Sequence, residues 1–127
     1  MWKLLLIGSL GGGGAIARYL VSTACVRWFG EGFPVGTLIV NVVGCFLLGA
    51  LYQLSALGGI PNEWRQPLGI GFLGGLTTFS TFGYETFDAL EKGKWHIAGG
   101  NVASHLLLGL AAVWLGIMLV KMLALQT

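Results

Sequence analysis

Charge is what this sequence lacks most. Of 127 residues only 9% are Asp, Glu, Lys or Arg, where a soluble domain of this size carries about 25% to keep its surface wet. Seven Lys and Arg against five Asp and Glu leave a net charge of +2, too weak and too scattered to point to nucleic acid or an acidic partner. Acids are missing from the middle of every apolar stretch, which argues against a proton-coupled carrier of organic cations. Cysteine is scarce as well, and Cys25 and Cys45 fall in different apolar segments, where they read as small packing residues rather than a disulfide or metal pair. So little chain lies outside the apolar stretches that no room remains for a soluble catalytic domain, and the sequence does not read as an enzyme.

What is present is apolar length. Residues 32 to 62, 66 to 84 and 95 to 120 carry no charge, and residues 4 to 17 carry none until Arg18. A spanning helix needs roughly 20 mostly apolar residues. The chain therefore reads as an all-α membrane protein, one domain over 1–127, with four transmembrane helices at about 3–28, 35–57, 67–91 and 95–121. Gly30-Glu31-Gly32 with Pro34, and Gly58-Gly59-Ile60-Pro61, supply the first two turns. Pro67 suits the first position of the third helix, and Gly93 a stop before the fourth. Lys3, the run Leu4 to Leu10 and Ala15-Ile16-Ala17 imitate a secretory leader, but the apolar character continues to Trp28. Trp2 to Trp28 would span about 39 Å as a helix. Trp2, Trp28, Trp64 and Trp95 sit near helix ends as an interfacial belt requires, whereas Trp114 lies deep and reads as a packing residue.

Four helices put both termini on one side, with Lys3, Arg65 and Lys121 there and Arg27, Lys92 and Lys94 on the other. Three against three gives no bias for orientation. Insertion both ways up is useful to a chain that forms an antiparallel homodimer with its two-fold axis in the membrane plane. The spacings Gly8/Gly12 and Gly71/Gly75 would suit close helix packing.

Two glycine patterns, Gly69-Ile70-Gly71-Phe72-Leu73-Gly74 and Gly12-Gly13-Gly14-Ala15-Ile16-Ala17, imitate a dinucleotide fingerprint but have no surrounding βαβ pattern. The third helix carries more information. Gly69, Gly71, Gly74 and Gly75 precede Thr77-Thr78-Phe79-Ser80-Thr81-Phe82, and interior glycines cost about 1 kcal/mol each relative to alanine. A break between Gly74 and Thr78 is expected, and irregular backbone at membrane depth persists only where protein or water covers it. If 77–82 were helical, Phe79 and Phe82 would share one face and Thr77, Ser80 and Thr81 the other. Ring edges suit an anion; hydroxyls and freed carbonyls suit helix contact or a hard cation. Thr37, Asn41, Gly44 and Cys45 line one face of helix 2, and Asn101, Ser104 and His105 one face of helix 4. Such stripes often only join helices, yet neutral donors are also what a small anion needs in place of water. His105 has no second ligand at metal spacing and reads as a neutral, hydrogen-bonded imidazole. Arg18, alone at mid-depth in helix 1, belongs against a partner or at a water-filled pore mouth.

Gly14-Ala15-Ile16-Ala17-Arg18-Tyr19, Gly36-Thr37-Leu38-Ile39-Val40-Asn41 and Gly74-Gly75-Leu76-Thr77-Thr78-Phe79-Ser80-Thr81-Phe82 resemble the three signature stretches of the Fluc family of fluoride channels, also called CrcB. The resemblance covers nearly the whole chain. It implies a dual-topology antiparallel homodimer in the bacterial inner membrane, carrying two passive fluoride pores that are selective over chloride. By position, Asn41 would donate to fluoride and Phe79 and Phe82 would form an aromatic box. Ser80, Thr81 and Thr37 would belong to a polar track, with Ser104 and His105 as looser neighbours on helix 4. Arg18 would stand at the vestibule and Glu85 at the pore end. Carbonyls of Gly74 and Thr77 from both subunits would hold a structural sodium ion on the axis. The competing readings are a small multidrug exporter of the same size, which the missing membrane acid disfavours, and a structural four-helix subunit whose polar stripes only join helices.

Overall fold

The computed structural model describes residues 1–126, and every regular element among them is helical. Three helices are long and apolar enough to cross a membrane, α1 (Trp2–Phe29), α2 (Val35–Ala56) and α6 (Trp95–Ala124). Between α2 and α6 lies an interrupted helix. It comprises α3 (Asn62–Gln66), a π-helical stretch (Pro67–Leu73), α4 (Gly74–Leu76) and, after two extended residues, α5 (Phe79–Glu91). The sequence places a helix start at Pro67; instead the helix already runs from Asn62 and passes through a buried Pro67. Proline offers no N–H and crowds the preceding turn, and the wider π turn accommodates it.

Contacts along the interrupted segment fix its direction. Gly69 faces Leu51 and Leu48, Thr77 faces Gly44, Thr78 bonds Asn41 and Glu85 bonds Thr37. The segment therefore runs the length of α2 in the opposite sense. Helices α2 and α6 run in the same sense, with Cys45 beside Gly109 and Gly49 beside Val113. That register, extended by one and two turns, sets Asn41 level with His105 and Thr37 level with Asn101.

Small residues let these helices meet backbone to backbone. A Cβ added at Gly14 would strike the Phe72 carbonyl, and one at Gly75 the Gly11 carbonyl. The pair Gly71 and Gly75 is thus spent within the chain, holding the interrupted segment to α1, while Gly8 and Gly12 face open space. A small core of Val40, Leu51, Leu73 and Leu76 fills the seam between α2 and the segment. Cys25 and Cys45 are both free. Trp114 does not pack within its own chain as expected, where it is 58% exposed. The inward face of α6 is made by the buried Gly109, Ala112 and Gly116, which turns Trp114 outward.

Candidate functional site: a clasped helix break beside an aromatic pair

The break occupies Thr77 and Thr78, whose backbones are extended. Two backbone groups stranded there would cost several kcal/mol in an apolar setting. Asn41 satisfies both. The Thr78 N–H donates to Asn41 Oδ1 at 2.7 Å, and Asn41 Nδ2 donates to the Thr78 carbonyl at 3.0 Å. A neutral amide offers an acceptor and a donor side by side at this reach. One Nδ2 hydrogen remains beyond the clasp.

Thr78 then starts α5. Its Oγ1 accepts from the Thr81 N–H at 3.2 Å and donates to Thr81 Oγ1 at 2.9 Å, with Ser80 Oγ at 3.3 Å. This is an N-cap, the ordinary way to satisfy a first-turn donor. The capping hydroxyl of Thr78 is missing from the residues expected at the site, although a threonine immediately before the Phe79–Phe82 turn is the sequence signal for it.

Phe79 opens α5 and is 84% exposed, and its ring centroid lies 5.5 Å from that of Phe82 at 49°. On its other side Phe82 packs against the His105 ring at 4.4 Å and 44°. These three rings, with Asn41, Cys45, Thr77 and Thr78, line a cavity of about 360 Å³ in which no lining residue is Asp, Glu, Lys or Arg. Thr77 departs from the hydroxyl face expected of a continuous helix. The extended backbone brings it onto the cavity wall with the phenylalanines, and its hydroxyl donates to the Leu73 carbonyl at 2.9 Å.

A second cavity of about 540 Å³ opens between the end of α1, the start of α2 and the far half of α5. Thr37 and Glu85 stand on its wall, joined by a 2.7 Å bond from Thr37 Oγ1 to Glu85 Oε1. Glu31, Asp88, Lys92 and Lys94 complete its charged rim. Lys92 Nζ lies 2.6 Å from Asp88 Oδ2, and that hydrogen bond, then the carboxylate charge, holds the ammonium above its ordinary range. Thr37 and Asn41 are one helical turn apart, about 6 Å along α2, so the two cavities follow one another along the same helix.

Not every expected residue joins the cluster. Arg18, half-buried on α1, lies outside both cavities, and so do Ser80, Thr81 and Ser104. Gly74 lines the aromatic cavity. Its carbonyl and that of Thr77 lose their usual helical donors, because the Thr78 N–H goes to Asn41 and the Thr81 N–H to Thr78 Oγ1. Freed carbonyl oxygens are the ligand type a hard cation takes.

The family model described as CrcB-like protein, Camphor Resistance (CrcB), matches residues 5–117. Among curated proteins, the chain is 50% identical over 119 residues to a fluoride-specific ion channel FluC of Geobacter metallireducens, covering 93% of this chain and 96% of that one. It is 47% identical over 116 residues to the protein of the same name in Shewanella amazonensis, covering 91% and 94%. Against that of Solibacter usitatus the identity is 46% over 120 residues, covering 94% and 98%.

Proposed function

The chain belongs to the CrcB family, and from that premise we propose that it is a passive fluoride channel of the bacterial cell membrane. It is a multi-pass membrane protein and not an enzyme. Phe79 carries the reading. A phenylalanine 84% exposed at a clasped helix break, paired with Phe82 over a cavity without charged walls, suits a small anion in transit. Ring edges and one spare amide hydrogen replace hydration weakly enough for the ion to leave again.

In this reading the interrupted segment is the fourth membrane crossing. An anion enters the vestibule on the side of Lys92 and Lys94, passes Thr37, whose hydroxyl engages Glu85, moves one turn along α2 to Asn41 and passes the edges of Phe79 and Phe82. Ser80 and Thr81 flank that path, His105 backs Phe82, and Arg18 with Ser104 stands further off. Hydrofluoric acid crosses bilayers neutral and ionises in a less acidic cytoplasm. The inside-negative potential then drives fluoride out through the channel, at about 2.3 kcal/mol per charge per 100 mV.

The active unit is an antiparallel homodimer with two pores. The even division of basic residues supports it, as does the aromatic cavity, which lies open at Phe79 and needs a second copy to cover it. Three lysines added at one end would force one orientation, so activity from that variant alone, without an oppositely biased copy, would contradict the dimer. The freed carbonyls of Gly74 and Thr77 fit a structural sodium ion shared by both copies. Such an ion would hold the two helix breaks together, and exchanging sodium for a large organic cation is expected to lower the melting temperature of the dimer; an unchanged value would remove the ion from the account.

Fluoride efflux from liposomes, with a potassium ionophore supplying counter-charge, tests the function. The channel reading expects rapid efflux. Trapped fluoride with proton-driven uptake of a cationic dye would favour the exporter instead, and neither activity would leave the structural subunit.

A further inference from the structure

Asn101 on α6 is fully buried, at 0% exposure, and two separate arms run from it to Phe82, one to its main-chain carbonyl and one to its ring. Through its side chain, Nδ2 donates to Thr86 Oγ1 at 2.9 Å, and that hydroxyl donates to the Phe82 carbonyl at 2.7 Å. Through its main chain, the Asn101 carbonyl lies 3.0 Å from His105 Nδ1, and the His105 ring packs on Phe82 at 4.4 Å. A carbonyl only accepts, so Nδ1 carries the proton and Nε2 keeps a lone pair in the neutral ring. His105 is thereby held at one angle against Phe82.

We propose that Asn101 is a positioning residue for fluoride conduction, its side chain fixing through Thr86 the rotation of α5 that sets the angle of the Phe82 ring edge, while the main chain at 101 holds His105 against that ring. The proposal rests on the channel reading above. A ring edge is attractive to an anion and a ring face repulsive. Rotation of α5 against α6 exchanges one for the other, so the bonds that fix that rotation set the conduction rate without touching the ion. Buried amides also join helices with no further role, and the test separates the two cases.

Wild type, Asn101→Leu, Thr86→Val, Thr86→Ser and the double variant Asn101→Leu/Thr86→Val are reconstituted so dilutely that most active liposomes hold one dimer. Efflux amplitude then counts folded channels, and the initial rate reports each channel's turnover. Asn101→Leu and Thr86→Val are expected to lower the rate about tenfold, in line with one lost buried hydrogen bond, with amplitude unchanged. Thr86→Ser, which keeps the hydroxyl, restores most of the rate. The double variant is no slower than Thr86→Val, because both changes cut the same arm. Reduced amplitude at an unchanged rate per channel would show a helix-joining role only and overturn the proposal, as would an unchanged rate in Thr86→Val. Absence of efflux from wild type would take down the channel reading itself, and this proposal with it.

Discussion

Replacing Asn41 with aspartate separates the two jobs of that side chain. The carboxylate keeps an acceptor for the Thr78 N–H but presents oxygen where Nδ2 now donates to the Thr78 carbonyl. One bond is lost, at about 1–3 kcal/mol for the carbonyl left unpaired. The new charge weighs more on transport. At about 5 Å from a passing anion and an effective dielectric constant of about 20, a unit negative charge adds about 3 kcal/mol to the crossing barrier. That corresponds to a slowing of about two orders of magnitude. Asn41→Leu differs, because it strands both Thr78 groups and is expected to lose about 2–6 kcal/mol of stability. The assay pairs liposome fluoride efflux with thermal unfolding and size-exclusion chromatography. Asn41→Asp should keep the wild-type elution volume and be nearly silent, and Asn41→Leu should be destabilised. Wild-type efflux from Asn41→Asp would mean that the anion does not pass Asn41, and a fully stable Asn41→Leu would mean that the clasp holds nothing.

Other substitutions probe the remaining parts. Phe79 buries little of itself within its own chain, so Phe79→Leu should leave folding intact while reducing efflux at least about tenfold through loss of a ring edge; unchanged efflux would remove Phe79 from the path. Thr78→Val removes the cap for the Thr81 N–H and should lower stability by about 1 kcal/mol, readable as a shifted melting temperature. Gly14→Ala forces a methyl group onto the Phe72 carbonyl and should cost about 1–3 kcal/mol. Gly12→Ala, in open space, should be neutral or gain up to about 1 kcal/mol; equal melting temperatures for these two would contradict the α1 packing.

The break was legible because its causes are local. Four glycines weaken the helix ahead of Thr77, and a hydroxyl follows that can cap a new one. Asn41 stood out as the amide in the polar stripe of helix 2, yet its partner did not, since the meeting of residues 41 and 78 depends on the register between α2 and the interrupted segment. The same limit applies to Asn101. Its place in a polar stripe can be read from spacing, but its two arms exist only once α5 and α6 are docked. The π turn at Pro67 escaped for another reason, because propensity marks proline as a helix start and cannot register a helix that widens to pass it. Trp114 was misplaced because apolar character in a membrane segment does not say which face packs on protein, whereas the row Gly109, Ala112 and Gly116 does.

Recording single channels in a planar bilayer under opposed fluoride and chloride gradients tests the central claim most directly. Current that reverses at the fluoride equilibrium potential, unmoved by any change in chloride, is the predicted result. A reversal that follows chloride or protons, or no current at all, would contradict the account.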